Sequence, residues 1–286
     1  MKQNTKKITA KIIASIIHKR NPNSHKGTYG QALIVAGSFG KMGAAVLSAK
    51  ACLKTGVGLL TMYIPKCGYN ILQTSVPEAM VICDENEAMI SNFNSINKYN
   101  VVGIGCGIGT SATTTKAFKK IIQSFNKPMV IDADAINVIS KNKTWLKWIP
   151  IESIFTPHTM EFERLVGKWA NEEEQNKLQL EFSKRHNVYV ILKGHHTHIS
   201  CPNGNVYINT TGNAGMAKAG NGDSLTGMLT ALLAQDYTPE QTCIAGVYLH
   251  GLAGDIAVKK TGEFSLLASD LIGTIGKAFL EITRSK

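Results

Sequence analysis

No window of this 286-residue sequence holds the ~18 uninterrupted apolar residues that a membrane-spanning helix needs. The longest apolar stretches, such as Val101–Gly109, are short and broken by glycine, so a membrane is not an expected partner. The six cysteines (Cys52, Cys67, Cys83, Cys106, Cys201 and Cys243) include no C-x-x-C pair, which excludes a zinc ribbon and a thioredoxin-type site. Scattered in mostly apolar surroundings, they read as buried free thiols of a reducing compartment, and the expected location is cytoplasmic. No Pro/Ser-rich linker, low-complexity tract or internal repeat divides the chain, so one domain over residues 1–286 is expected. A hydrophobic content of 44% is that of a soluble globular chain and excludes disorder, collagen and coiled coil as the main architecture.

Charge is also sparse: 18% of residues carry one, against about 25% in ordinary domains. Acids are the scarcer sign, 20 against 31 Lys and Arg, for a net charge of +11. Such a balance suits nucleic acid, anionic small molecules or a solvated lysine-rich surface. Part of the excess lies in a basic N-terminal segment, residues 1–20, with Lys2, Lys6, Lys7, Lys11, Lys19 and Arg20. Lys11 interrupts its apolar stretch and no small-residue cleavage site follows, so it does not read as a signal peptide. Beyond this segment no basic cluster interleaved with aromatics is evident, and nucleic acid is not an expected partner.

Short apolar runs rich in β-branched residues alternate with segments of helical period. Strands are predicted at 33–36, 59–64, 101–104, 129–132, 153–156 and 188–192, and helices at 43–54, 113–125, 172–185 and 223–235. The strand runs are apolar on both sides, as strands covered on two faces are. Residues 197–209 read as a hairpin around Pro202-Asn203-Gly204-Asn205. The sum is a three-layer α/β/α sandwich with a mostly parallel sheet, in which ligands sit at the carboxyl ends of the strands.

Four stretches carry candidate chemistry. TTGNAGMAKAGNGDSLTG (Thr210–Gly227) runs through five glycines into a helix whose apolar face is Leu225, Met228, Leu229, Leu232 and Leu233. Gly220, Asn221 and Gly222 then form an anion loop, where free backbone amides and the helix dipole converge. Asp223 is either the N-cap of that helix or a base taking a proton from an attacking hydroxyl. The loop is not a Walker A motif, because Asn221-Gly222 stands where Lys-Ser/Thr is required. GIGCGIG (Gly103–Gly109) is a tight strand-end turn or an approach of backbone to ligand. IFTPHTMEFERL places His158 over the sheet edge with Glu161 one helical step behind, and VIDADAIN brings Asp132, Asp134 and Asn137 off a strand together, as carboxylates able to hold Mg²⁺ through water. In LKGHHTHIS only His196 and His198 share a strand face, which disfavours zinc; Lys193-Gly194 with Thr197 beyond fits a nucleotide-contacting turn.

In this order these stretches resemble the ADP/ATP-dependent NAD(P)H-hydrate dehydratase family of the ribokinase-like superfamily. The likeness is carried by SHKGTYGQALIVAGS, MGAAVLSAKACLKTGVGLL, GCGIG, VIDADAIN, TPHTMEFERL, ILKGHHT and GNAGMAKAGNGDSLTGML, from about residue 20 to about 255. It implies a ribokinase-like fold that uses ADP or ATP to phosphorylate the ring hydroxyl of (S)-NAD(P)H hydrate and then eliminates phosphate. Asp223 would accept the hydroxyl proton; Ala44, Gly107, His158 and Asp223 would contact the hydrated dinucleotide. Lys193, Gly194, His195, His196, Thr197 and Gly222 would contact the adenine nucleotide, and Glu161 would manage Mg²⁺. A homo-oligomer, a tetramer by family pattern, is implied as well.

The chain departs from that pattern at Cys106, where the family has proline, at Thr159-Met160 after His158, and at Lys218, Ala219 and Asn221 in the anion loop. Ala219 requires a negative φ to sit there without strain. Two other readings share the anion loop: a ribokinase-like kinase for a thiazole or pyridoxal-type alcohol, and an inactive relative.

Overall fold

The computed structural model describes residues 5–93 and 96–284; Lys2 of the basic segment lies outside them. In chain order the strands are β1 (Thr5–Lys7), β2 (Gln31–Val35), β3 (Leu59–Ile64), β4 (Met80–Cys83), β5 (Val101–Ile104), β6 (Met129–Ile131), β7 (Ile154–Phe155), β8 (Tyr189–Leu192), β9 (Thr197–Ser200) and β10 (Val206–Asn209). The helices are α1 (Ala10–Ile16), α2 (Met42–Lys54), α3 (Tyr69–Ser75), α4 (Ala112–Ser124), α5 (Ala133–Lys141), α6 (Thr159–Val166), α7 (Glu172–His186), α8 (Asn221–Ala234), α9 (Pro239–Thr261) and α10 (Ala268–Arg284).

The strands form one sheet in the order β1-β10-β9-β8-β7-β6-β5-β2-β3-β4. All pairings are parallel except those of β9, which runs against β8 and β10 as the expected hairpin. Alternate residues of each central strand enter opposite cores. Leu33 and Val35 of β2 join the α4–α7 side, while Ala32 and Ile34 pack toward α2 and α8. Period-two burial on both faces is what makes these runs apolar throughout. The chain travels from β2 outward through β3 and β4, then returns beside β2 with β5 and continues the other way. That reversal makes a crevice at the carboxyl ends of β2 and β5.

α8 is packed between the sheet and α2, and it needs a glycine to come this close. A Cβ on Gly227 would stand 2.1 Å from the Ser48 carbonyl oxygen. The basic segment is used structurally: Thr5, Lys6 and Lys7 pair with β10, and Ile13 and Ile16 of α1 join the core shared with α9 and α10. Edge strands β1 and β4 and helices α1, α3, α5, α9 and α10 add to the predicted elements.

Candidate active site

The carboxyl ends of β6, β7 and β8 and the amino end of α8 enclose a cavity of about 800 Å³. It is lined by Asp223, Gly220, Asn221, Gly222, His158, Glu161, Lys193, Gly194, His195 and Thr197 from the predicted set. His196, Ala44 and Gly107 do not line it. His196 turns away in the β8–β9 connection, its ring against that of His195 at 4.3 Å between centroids. Ala44 and Gly107 instead meet each other at the β2/β5 crevice, where a Cβ on Gly107 would stand 3.1 Å from the Ala44 Cβ. Ser38 Oγ donates to the Gly107 carbonyl at 2.7 Å, and Gly109 N donates to Asp134 Oδ2 at 2.8 Å.

Asp223 is not the N-cap. Gly220 holds that position in the left-handed region, φ 94°, with no capping side chain. Ser224 N closes the first turn on the Gly220 carbonyl at 3.0 Å. The amides of Asn221, Gly222 and Asp223 therefore open a helix end that no side chain caps, the arrangement that binds anions. Ala219 is not among the residues with positive φ, so its methyl group is accommodated and the sharp turn falls on glycine. Lys218 lines the cavity, and its ammonium donates to the Phe264 carbonyl.

Asp223 is the third residue of α8. Burial, and behind it the Asp132 and Asp134 carboxylates, push its pKa up to about 6 against the opposing pull of the Cys106 thiol and Lys193. Cys106 is itself buried, and burial drives its thiol well above the usual range, leaving it a neutral donor beside Asp223 and Thr226. A carboxylate poised near neutrality at an anion-binding turn suits a general base.

Next to it lies an ion pair buried at its acid and part-exposed at its ammonium. Asp132 Oδ1 takes Lys193 Nζ at 2.8 Å, and Asp132 Oδ2 accepts Thr226 Oγ1 at 2.8 Å. Burial works to lower the Lys193 pKa, but the Asp132 and Glu161 carboxylates outweigh it and hold the ammonium above its ordinary value. A Cβ on Gly222 would stand 3.4 Å from Lys193 Nζ, so the cation abuts the anion loop. Asp132, Asp134 and Asn137 do not converge. Asp134 turns to Gly109 and to Lys41 Nζ at 3.8 Å, and Asn137 accepts from Arg164 at 2.8 Å. Ala133, φ 47°, carries the chain round between them, a left-handed conformation that costs about 1 kcal/mol or more.

His158 caps α6. Its Nδ1 accepts from Met160 N at 3.1 Å and Glu161 N at 3.3 Å, and Glu161 Oε2 accepts from His158 N at 2.9 Å. The capping box fixes the tautomer: Nδ1 is an acceptor and Nε2 carries the proton, 3.4 Å from Glu161 Oε1. His158, which lines the cavity, thus carries a donor rather than a base at Nε2. His198 lies 4.0 Å from Glu172, and among the described residues no group of three or more His, Cys, Asp or Glu converges as a metal cluster.

Sequence reasoning missed His250, which lines the cavity from α9 while 8% exposed. A polar ring in the apolar helical run AGVYLHGLAG is the one signal that marks it. It also missed Asp255, whose carboxylate holds the glycine loop through Gly212 N and Asn213 Nδ2, both at 2.9 Å.

A family model described as NAD(P)H-hydrate dehydratase matches residues 32–277. The bifunctional NAD(P)H-hydrate repair enzyme Nnr of Moorella thermoacetica is 34% identical over 94% of this chain, which spans 53% of that protein. The chain thus spans about half the length of the bifunctional relatives it matches. The ADP-dependent (S)-NAD(P)H-hydrate dehydratase of Listeria monocytogenes is 34% identical over 89% of this chain and 90% of its own length. The crystal structure of the ADP/ATP-dependent NAD(P)H-hydrate dehydratase of Bacillus subtilis, co-crystallised with ATP/Mg²⁺, superimposes with a TM-score of 0.84. It is 26% identical, with 98% of this chain and 99% of that one covered.

Proposed function

The chain belongs to the NAD(P)H-hydrate dehydratase family, and from that premise we propose that it is a nucleotide-dependent lyase restoring NAD(P)H from its (S)-hydrate. The observation that carries this reading is the Asp223 carboxyl, held near neutrality beside an uncapped helix end and the Lys193 ammonium. Asp223 takes the proton of the ring hydroxyl as its oxygen attacks the terminal phosphoryl group of ADP or ATP. The amides of the Gly220–Gly222 turn and Lys193 stabilise the charge that gathers on the transferring group. The C–O bond to the phosphate group then breaks, the adjacent ring carbon gives up a proton to solvent, and the ring double bond returns as inorganic phosphate leaves. With ADP the balance is hydrate plus ADP giving NAD(P)H, AMP and phosphate.

The two ends of the site divide between the two ligands. Lys193, Gly194, His195, Thr197 and Gly222 serve the adenine nucleotide, with His196 contributing from outside the cavity wall. Ala44 and Gly107 at the switch-point crevice and His158 through its Nε2 proton serve the hydrated dinucleotide. A magnesium ion fits in a limited way: Glu161 lines the cavity, and its Oε1 makes, among the described residues, no hydrogen bond beyond a 3.4 Å contact with His158 Nε2. An ion held mainly by phosphates and water, with one protein carboxylate, is how Mg²⁺ is bound in such sites, where it neutralises phosphate charge. A cytoplasmic location is proposed on the scattered free cysteines, and a homotetramer on family pattern alone.

Product stoichiometry tests the reaction class. One AMP and one phosphate per nicotinamide restored from ADP is the expected result. No turnover of the hydrate, with ADP or ATP consumed one for one in phosphorylating a thiazole or pyridoxal-type alcohol supplied in its place, would instead establish the kinase reading.

A further inference from the structure

His250 sits on the α9 face that borders the cavity, with Val247 one helical turn before it and Gly251 next in the chain, both also lining the cavity. Its Nε2 lies 3.0 Å from the Asn221 carbonyl oxygen and 3.0 Å from Ser224 Oγ. A carbonyl oxygen only accepts, so Nε2 carries the proton. Ser224 Oγ spends its own proton on the same Asn221 carbonyl at 2.8 Å and offers a lone pair to the ring. Nδ1 is therefore the unprotonated nitrogen. Burial drives the ring's pKa down to about 4, so the ring is neutral at neutral pH. No donor among the described residues reaches Nδ1, although the side chain is more than nine-tenths buried and forms part of the cavity wall.

This unmet ring acceptor in the cavity wall calls for a ligand that brings a donor, since an acceptor that gives up water without gaining a partner is costly. Phosphate oxygens are acceptors and do not meet the need. The donors of an adenine nucleotide are its ribose hydroxyls and the exocyclic amine of the base. Both belong to the nucleoside half, which extends away from phosphates seated on the α8 amides.

We propose that His250 Nδ1 accepts a hydrogen bond from the nucleoside half of the bound nucleotide and so helps determine which nucleotides this site takes. The inference rests on the nucleotide-dependent reading above and adds a specificity-determining residue to it.

The test is calorimetric binding of ADP, 2′-deoxy-ADP, 3′-deoxy-ADP and IDP without divalent cation, which removes metal-bound water as a donor source. Wild type and His250→Gln are compared, because glutamine keeps an N–H donor near the Nε2 position and has no counterpart of Nδ1. At least one analogue is expected to bind wild type about 5- to 20-fold more weakly than ADP. In His250→Gln that penalty shrinks to within about twofold, the sign of a direct coupling. Loss with a deoxy analogue assigns the partner to a ribose hydroxyl; loss with IDP assigns it to the amine. Equal binding of all four to wild type, or a penalty unchanged in the variant, overturns the assignment. The ¹⁵N resonance of His250 Nδ1 in wild type needs no variant: it moves with ADP and not with the discriminating analogue, and an unmoved resonance also overturns the assignment. Absence of any ADP binding would strike at the nucleotide-dependent reading itself.

Discussion

Lys193 Nζ lies 2.8 Å from Asp132 Oδ1, a part-buried ion pair joining the end of β8 to the end of β6 across β7. The cation that faces the anion loop is thus fixed by protein before a nucleotide arrives, and it keeps a donor geometry that a free lysine would lose to rotamer entropy. The same carboxylate takes Thr226 of α8, so one acid ties two strand ends to the helix that carries Asp223.

Removing one partner of this pair is expected to cost far more than removing both. Lys193→Met leaves Asp132 buried without its counter-ion, held by Thr226 alone, with an expected loss of about 3 kcal/mol in urea unfolding. Adding Asp132→Asn to it recovers more than half of that loss without restoring nucleotide affinity. Equal instability of the single and double variants contradicts the pairing.

Asp223→Asn is expected to lower turnover by about 10²–10⁴-fold while leaving nucleotide affinity within a few-fold of wild type. Single-turnover kinetics and calorimetry measure the two quantities separately. A variant with the wild-type rate removes Asp223 from the base role.

The raised Asp223 pKa has consequences for both rate and stability. The base acts when ionised, so kcat/KM rises with pH through about 6. Its folded pKa exceeds the unfolded 3.8, so the folded state binds the proton more tightly. Its contribution to stability is therefore lost as pH climbs from 4 to 6. At pH 7.5 Asp223→Asn is expected to be more stable than wild type by about 1–3 kcal/mol, an advantage that disappears by about pH 4. His250 works in the opposite sense: its folded pKa of about 4 lies below the ordinary 6.5, so its contribution is lost as pH falls through that window. Asp223→Asn therefore unmasks a steeper acid loss than wild type shows. A stability gap that stays constant with pH, in urea midpoints at pH 7.5 and 4.5, contradicts this account.

His158 has two separable tasks. Asparagine supplies a carboxamide oxygen where Nδ1 caps α6, so His158→Asn is expected to keep stability within about 0.5 kcal/mol. Lacking the Nε2 proton, it loses about tenfold in kcat/KM for the hydrate. His158→Ala loses the cap too, about 1 kcal/mol more. Unfolding curves and initial rates separate the two, and unchanged kinetics in His158→Asn would remove the donor role.

Much of the frame was legible because it rests on local rules. β3 and β5 were read to the residue, since strands buried on both faces write their burial as unbroken apolar runs. The edges were not: β1 is Thr-Lys-Lys, exposed and held mainly by backbone pairing, and β4 is half exposed. At the site, the glycine loop pointed to Asp223, but whether it capped or faced the cavity depended on the left-handed Gly220, a choice open to any of several glycines. The VIDADAIN acids diverge because α5 begins between them at Ala133. His250 stands out only as a polar ring in an apolar helical run; its place at the site was not legible because its partners lie 26 and 29 residues away on another helix, a juxtaposition that tertiary packing alone makes.

The most direct measurement is absorbance at the reduced-nicotinamide band after mixing the protein with (S)-NADPH hydrate and Mg²⁺, in parallel with ADP, ATP or no nucleotide. Recovery that requires a nucleotide, and that Asp223→Asn abolishes, is the predicted result. No recovery with either nucleotide, in protein that still binds ADP, would contradict the dehydratase assignment and leave the kinase or an inactive relative in its place.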